Sequence, residues 1–219
     1  MSAREEILGR SRRALGDVTV TDPAADVPIT RPAPASGPAT AAQVDLFAER
    51  VADYRATVER PTVLTAADAV LHAVLGEDGS TRRILVPPGF PDALLPADDR
   101  IEIVRDGPDV PISELDRCHG VLSTASVGIA ETGTIVLDHG KGQGRRAATL
   151  VPDLHVCVVR HDQVVAGVPE AVAALDPRCP QTWISGPSAT SDIELDRVEG
   201  VHGPRTLHVL LVGPADRLL

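Results

Sequence analysis

Aromatic side chains are nearly absent from this chain: one Trp, one Tyr and two Phe in 219 residues, 2% of the total. Its interior must therefore be aliphatic, and too few flat rings remain to stack a single-stranded nucleic acid. Cysteine is also scarce. Cys118, Cys157 and Cys179 are odd in number, far apart and without a CxxC pair. That argues against a disulfide framework, an iron–sulfur cluster ligated by this chain, and a structural zinc. None of the seven histidines stands in HxH or HExxH spacing, so no metal set is expected. No apolar run approaches ~18 residues, and no apolar region follows the first arginines, so neither a membrane span nor a secretory leader is expected. Cations are outnumbered, 21 Lys and Arg against 31 Asp and Glu, for a net charge of -10. DNA and anionic membranes both favour a basic face. The expectation is no nucleic acid, no membrane and a reducing, cytoplasmic setting.

What is present is a patterned α/β chain. Hydrophobic residues are 43% of the total, enough for one sizeable core. "SAREEILGRSRRALG" has apolar residues near helical spacing and a glycine stop. "TDPAADVPITRPAPASGPAT" is rich in proline and small residues and reads as an extended tether. "AAQVDLFAERVADYRATV" reads as a second helix with Val44, Phe47, Val51 and Tyr54 on one face. Short apolar runs then alternate with helical segments: "AADAVLHAVLG", "RRILVPP", "RIEIVRD", "ISELDRC", "GVLSTASVGIA", "TGTIVLD", "LHVCVVR", "VPEAVAALD", "TWISGP" and "TLHVLLVG". Continuous apolar strands imply a sheet covered on both faces. Between residues 120 and 160 no helix separates the strands, so some antiparallel pairing is expected there. Two parts are expected: residues 1–39 as an N-terminal helix with its Pro-rich tether, and residues 40–219 as the folded domain.

Three stretches can carry chemistry. In "GIAETGTIVL", Glu131 is the only carboxylate between Asp116 and Asp138, bracketed by small residues that permit close approach. It either caps local backbone N–H groups or serves a ligand. In "DHGKGQGRRA", Gly140, Gly142 and Gly144 alternate with His139, Lys141 and Gln143, and Arg145 and Arg146 follow. Exposed N–H groups and three cations suit a phosphate or carboxylate, although a flexible hairpin loop is the plainer reading. The stretch lacks GxxxxGK[ST] and a GxGxxG fingerprint. In "ISGPSATSDIELDRVEGVHGPRTLHVLLV", Gly186, Pro187 and Ser188 close a strand. Ser188, Thr190, Ser191 and Asp192 crowd an expected helix start, where simple capping explains a hydroxyl or a carboxylate. Capping does not explain Glu194 or His202. His202 is either a hydrogen-bonded structural residue or a base. There is no GxSxG elbow.

Taken together, "AETGTIVLDHGKGQGRRAATLVPDLHVCVV" and "SGPSATSDIELDRVEGVHGPRTLHVLLV" resemble the LUD domain of the lactate utilization protein C family, also called DUF162. The resemblance covers residues 61–213 and an N-terminal helix. It implies a fold like the NagB/RpiA/CoA-transferase superfamily, a mixed, mainly parallel sheet flanked by helices. It also implies a process: oxidation of L-lactate to pyruvate together with two partner proteins, one an iron–sulfur protein, which carry the redox cofactors. No cofactor is assigned to this chain itself, and its oligomeric state is left open. The expected role is a non-redox subunit binding a small anionic ligand or nucleotide. Glu131 or His202 would act on a proton, and Thr132, Gly133, Thr134, Gly142, Gly144, Arg145, Arg146, Gly186, Ser188, Asp192 and Glu194 would form the ligand site. Two alternatives stand beside it: an assembly or regulatory module for an iron–sulfur partner, and an acyl- or CoA-transferase using Glu131. The shared expectation is that Glu131 and the cationic loop converge on one cleft.

Overall fold

The computed structural model describes residues 3–17, 39–62, 65–76, 80–190, 198–199 and 203–213. The chain divides into two compact units, Met1–Ala33 and Pro34–Leu219. The first contains helix α1 (Ala3–Ala14), with Glu5 and Glu6 in its first turn, Arg12 and Arg13 in its last, and no buried residue. That charge order suits the helix dipole. The Pro-rich segment of residues 18–38 lies outside the described residues.

The second unit opens with α2 (Ala41–Asp53). Thr40 and Gln43 form a reciprocal capping box at its start, and Val44, Phe47, Ala48 and Val51 are buried. The helix stops earlier than its apolar period suggests. Arg55 takes a left-handed φ of 67°, and the β-branched pair Thr57 and Val58 joins a strand, β1 (Thr57–Glu59). Tyr54 is the C-cap and stays 40% exposed, off the buried stripe.

There follow α3 (Ala66–Leu75), β2 (Arg82–Val86), β3 (Ile101–Arg105), α4 (Ile112–Leu115), β4 (Gly120–Thr124), β5 (Val127–Ile129), β6 (Thr134–Leu137), β7 (Leu154–Arg160), β8 (Val164–Val165), α5 (Val168–Ala174), β9 (Thr182–Ile184), β10 (Ala189–Thr190), β11 (Val198–Glu199) and β12 (Thr206–Val212). Six strands form one sheet in the order β1-β12-β7-β4-β2-β3, and every neighbouring pair is parallel. The antiparallel pairing expected near residues 120–160 is found, but in a separate sheet, β8-β5-β6-β9. The chain is thus α/β with a mainly parallel sheet flanked by helices.

Alternation along the strands assigns the layers. Val156, Val158, Leu210, Val212, Ile84 and Val86 pack under α3 on one face. Cys157, Val159, Leu207, Val209 and Leu211 face the other way, against α2 and the inner side of β6. The outer side of the second sheet, with Val127, Ile129 and Val136, is covered by Ala171 and Leu175 of the α5 segment. Burying one such side chain stabilises the fold by about 1.5–3 kcal/mol.

Two glycines let the second sheet approach α2. A Cβ on Gly133 would stand 2.6 Å from the Arg50 carbonyl carbon, and one on Gly186 would stand 2.6 Å from the Tyr54 Cβ. Both also have positive φ, 60° and 85°. Gly133→Ala is therefore expected to cost at least about 2 kcal/mol of stability, from strain and a clash with helix backbone. Urea unfolding of the variant beside the parent checks this.

Candidate functional site

Parallel α/β sheets bind ligands outside the carboxyl ends of their strands, where neighbouring connections leave in opposite directions. Here β2 and β4 are neighbours. The chain runs from β2 outward to β3 and from β4 inward toward β7. The glycine-rich segment after β6 lies across that point. Thr124 N–H at the end of β4 donates to the Gly142 carbonyl, and Gly142 N–H donates to the Pro88 carbonyl beyond β2.

The segment was expected to be flexible; it is heavily braced. The buried Gln143 side-chain oxygen accepts from the Asp138 and His139 N–H groups (2.7 and 3.2 Å), while its amide nitrogen donates to Ser126 Oγ (2.8 Å). His139 Nδ1 donates to the Gly144 carbonyl (2.8 Å), and its Nε2 pairs with Thr182 Oγ1 (2.9 Å). Arg145 Nε donates to Asp106 (3.1 Å), whose side chain is 3% exposed, and Nη2 donates to the Val110 carbonyl. Glycine therefore serves here for positive φ at residues 142 and 144 and close packing rather than for mobility.

Adjacent arginines serve different cavities. Arg145 lines a hollow of about 460 Å³ at the carboxyl ends of β2 and β3, with Pro88, Pro108, His139, Lys141 and Gly144. Arg146 lines a cavity of about 360 Å³ between the two sheets, with Thr149, His155, Thr182, Gly186, Ser188 and Leu207 among its walls. The His139–Thr182 hydrogen bond joins a wall residue of one to a wall residue of the other. The Arg146 side chain is exposed and makes no ion pair or side-chain hydrogen bond among the described residues.

Glu131 does not join either cavity. It sits in the β5–β6 turn, while the cationic loop leaves the far end of β6. The hairpin between them is roughly 10–14 Å long at about 3.4 Å per residue. The expected convergence is corrected accordingly. Glu131 is exposed, its N–H donates to the Ala166 carbonyl, and its carboxylate fills the space a Cβ on Gly167 would need, 2.8 Å away. Thr132 and Thr134 share a hydrogen bond of 2.7 Å, and Thr134 reaches Ser185 Oγ at 2.8 Å. Thr132 and Thr134 do not line the inter-sheet cavity themselves, but their hydroxyl ladder ends on Ser185, which does. Within the helix start expected at residues 188–192, Ala189–Thr190 instead pairs antiparallel with Val198–Glu199. Asp192, Glu194 and His202 lie outside the described residues.

Sequence reasoning missed His155. It is 1% exposed and its Nε2 lies 2.7 Å from the buried Ser123 Oγ. The available signal was a polar residue on the Cys157 side of an otherwise apolar strand. Burial pushes its pKa down to about 4, so the ring is neutral near pH 7. Burial also pushes the Cys157 thiol up to about 12, which fits the reading of that cysteine as a small hydrophobe.

The LUD domain family matches residues 110–212, which include walls of both cavities. Lactate utilization protein C of Deinococcus radiodurans is 45% identical over 187 residues, covering 83% of this chain and 85% of that protein. The chain belongs to the lactate utilization protein C family. Matches to the proteins of that name from Bacillus pumilus (37% identical) and Bacillus subtilis (31%) are shorter, covering 38% and 46% of this chain. They span 38% and 45% of those relatives. A crystal structure of a DUF162 family protein from Deinococcus radiodurans is similar at a TM-score of 0.66 and 40% identity, over 80% of this chain and 100% of that one. Among the described residues no helix is long and apolar enough to cross a membrane.

His155 makes stability depend on pH. Its ordinary pKa is about 6.5, so between pH 6.5 and 4 the unfolded chain binds a proton that the fold refuses. Stability is full above pH 6.5 and falls through that window by roughly 3 kcal/mol, about 2 of them by pH 5. Burial also lowers the pKa values of His161 and His208, so the contribution is isolated by difference. His155→Gln should lose less stability than the parent between pH 7 and pH 5 in urea unfolding.

Proposed function

We propose that this chain is a component of an L-lactate utilisation system, working with iron–sulfur proteins in the oxidation of lactate to pyruvate. Its own part is to bind a small anionic ligand, not to carry electrons. One observation carries the ligand reading. Two motifs distant in sequence meet at the inter-sheet cavity: Arg146 from the first, Gly186 and Ser188 from the second. Arg146 brings a guanidinium with no partner among the described residues to a wall that also carries hydroxyls and apolar side chains. A charged group beside convergent hydroxyls and apolar side chains is a mix that small-molecule sites use. The neutral His155 on the same wall adds polarity without charge, so recognition of the anion falls to Arg146.

The cysteines favour a role outside electron transfer. Cys118 and Cys157 are buried in separate packed clusters, and Cys179 is exposed after α5. Three thiols so dispersed do not converge on one cluster.

A second reading, the docking module, rests on α1. That helix carries Ile7 and Leu8 as its large apolar side chains among Glu5, Glu6, Arg10, Arg12 and Arg13. Such a helix would gain its apolar contacts on a partner.

Titrating L-lactate and pyruvate into the full chain by calorimetry tests the first reading. At least one should bind, and Arg146→Ala should weaken it about tenfold, the worth of one charge-assisted contact. Equal affinities in parent and variant would remove the reading. In reconstituted lactate oxidation, deletion of residues 1–16 that abolishes turnover but spares ligand affinity would favour docking.

A further inference from the structure

We infer that the hollow at the carboxyl ends of β2 and β3 is a second, separate anion site, built for the phosphate of a small phosphorylated molecule. Its position is the first argument. It lies beside the point where the connections from β2 and β4 diverge, the place in an open parallel sheet where strand ends leave a crevice. The walls come from the segments just beyond two strands, Pro88 after β2 and Asp106, Gly107 and Pro108 after β3, closed over by Gly140, Lys141 and Gly144.

The second argument is a positioned guanidinium. Asp106 is buried, and it fixes Arg145 through Nε, while the Val110 carbonyl fixes Nη2. Nη1 is left with no acceptor among the described residues. An arginine whose fork is already held loses little freedom when an oxyanion arrives, and that preorganisation raises affinity. Asp106 cancels much of the Arg145 charge, so a second cation is required.

Lys141 supplies it. Its side chain is exposed, carries no ion pair or side-chain hydrogen bond among the described residues, and lines the same hollow. Its backbone is fixed, because the carbonyl of Lys141 accepts from Thr124 Oγ1 (3.2 Å) and the next residue is tied to both β2 and β4. A rigid guanidinium edge with a mobile ammonium suits a tetrahedral oxyanion better than a planar carboxylate, which is matched by an arginine fork alone. Pro88 and Pro108 offer an apolar wall for the organic part of the ligand.

The site is independent of Arg146, which faces the other cavity. Calorimetry of the full chain with inorganic phosphate and with AMP as probes tests it. Both should bind saturably, AMP more tightly through its apolar contact. Lys141→Ala should weaken both about tenfold, Lys141→Arg should restore most of the loss, and Arg146→Ala should change neither by more than about twofold. Lys141 is exposed, so its variants will fold, and unchanged melting temperatures verify this. Absence of saturable phosphate binding, an inert Lys141→Ala, or a loss that follows Arg146 would each overturn the inference. Those outcomes leave the carboxylate site at Arg146 to stand or fall by its own titration.

Discussion

The ion pair between Asp106 and Arg145 fixes the working end of this molecule. Asp106 follows β3 in the parallel sheet, and Arg145 closes a loop that springs from β6 in the other sheet. Their contact ties the two sheets together at the carboxyl ends of the parallel strands. A carboxylate buried this deeply is costly unless it is paired, and removal of its partner would leave a desolvated charge. The pair is therefore a strong constraint on the path of the loop, whatever its net contribution to stability. Once Arg145 is pinned there, its neighbour Arg146, which opens a 3-10 turn, is carried to the inter-sheet cavity. One fixed contact thus distributes two adjacent cations to two cavities.

The same loop shows why glycine-rich sequence is a poor guide to motion. Gly142 and Gly144 adopt positive φ, and Gln143 between them is buried with both ends of its amide satisfied. These are the features of a segment that must turn tightly over a strand end while its polar groups stay paired. Gly133 and Gly186 answer a different demand, contact with the end of α2. In the motifs that define the family resemblance, these glycines are thus accounted for by packing, while Lys141, Arg145, Arg146 and Ser188 line the cavities.

Much of the fold was legible because its strands are short, apolar and bounded by turn residues. The runs at β2, β3, β6, β7 and β12 were each readable from the sequence, and so was the pairing without crossover helices near residues 120–160. The split into two sheets was not, since a continuous apolar run says that both faces are covered but not by what. The helix read through Val58 failed for a local reason: a single left-handed residue, Arg55, ended it, and β12 offered a free edge for Thr57–Glu59. The ribbon at residues 189–190 was read as a helix start because hydroxyls and carboxylates favour caps and turns alike. At the site, Arg146, Gly186 and Ser188, read as parts of separate motifs, line one cavity, whereas Glu131 was joined to the loop by nearness in sequence. Residues on either side of one strand are held apart by its length. His155 escaped notice because a buried neutral histidine leaves no trace but its place in the alternation.

The acidic surface bears on both cavities. A net charge of -10 opposes the approach of any anion, so neither cavity can rely on long-range attraction. At physiological ionic strength that opposition is screened beyond about 8 Å, whereas contacts made inside a partly enclosed cavity are screened far less. Any selectivity would then come from short-range geometry: a guanidinium already held, an exposed ammonium, a histidine kept neutral by burial. A broad basic face would gather polyanions of many kinds; cations set in two small cavities would instead discriminate by shape and by the number of oxygens they can meet. The His139–Thr182 hydrogen bond joins a wall residue of one cavity to a wall residue of the other, and so holds the two boundaries in a fixed relation.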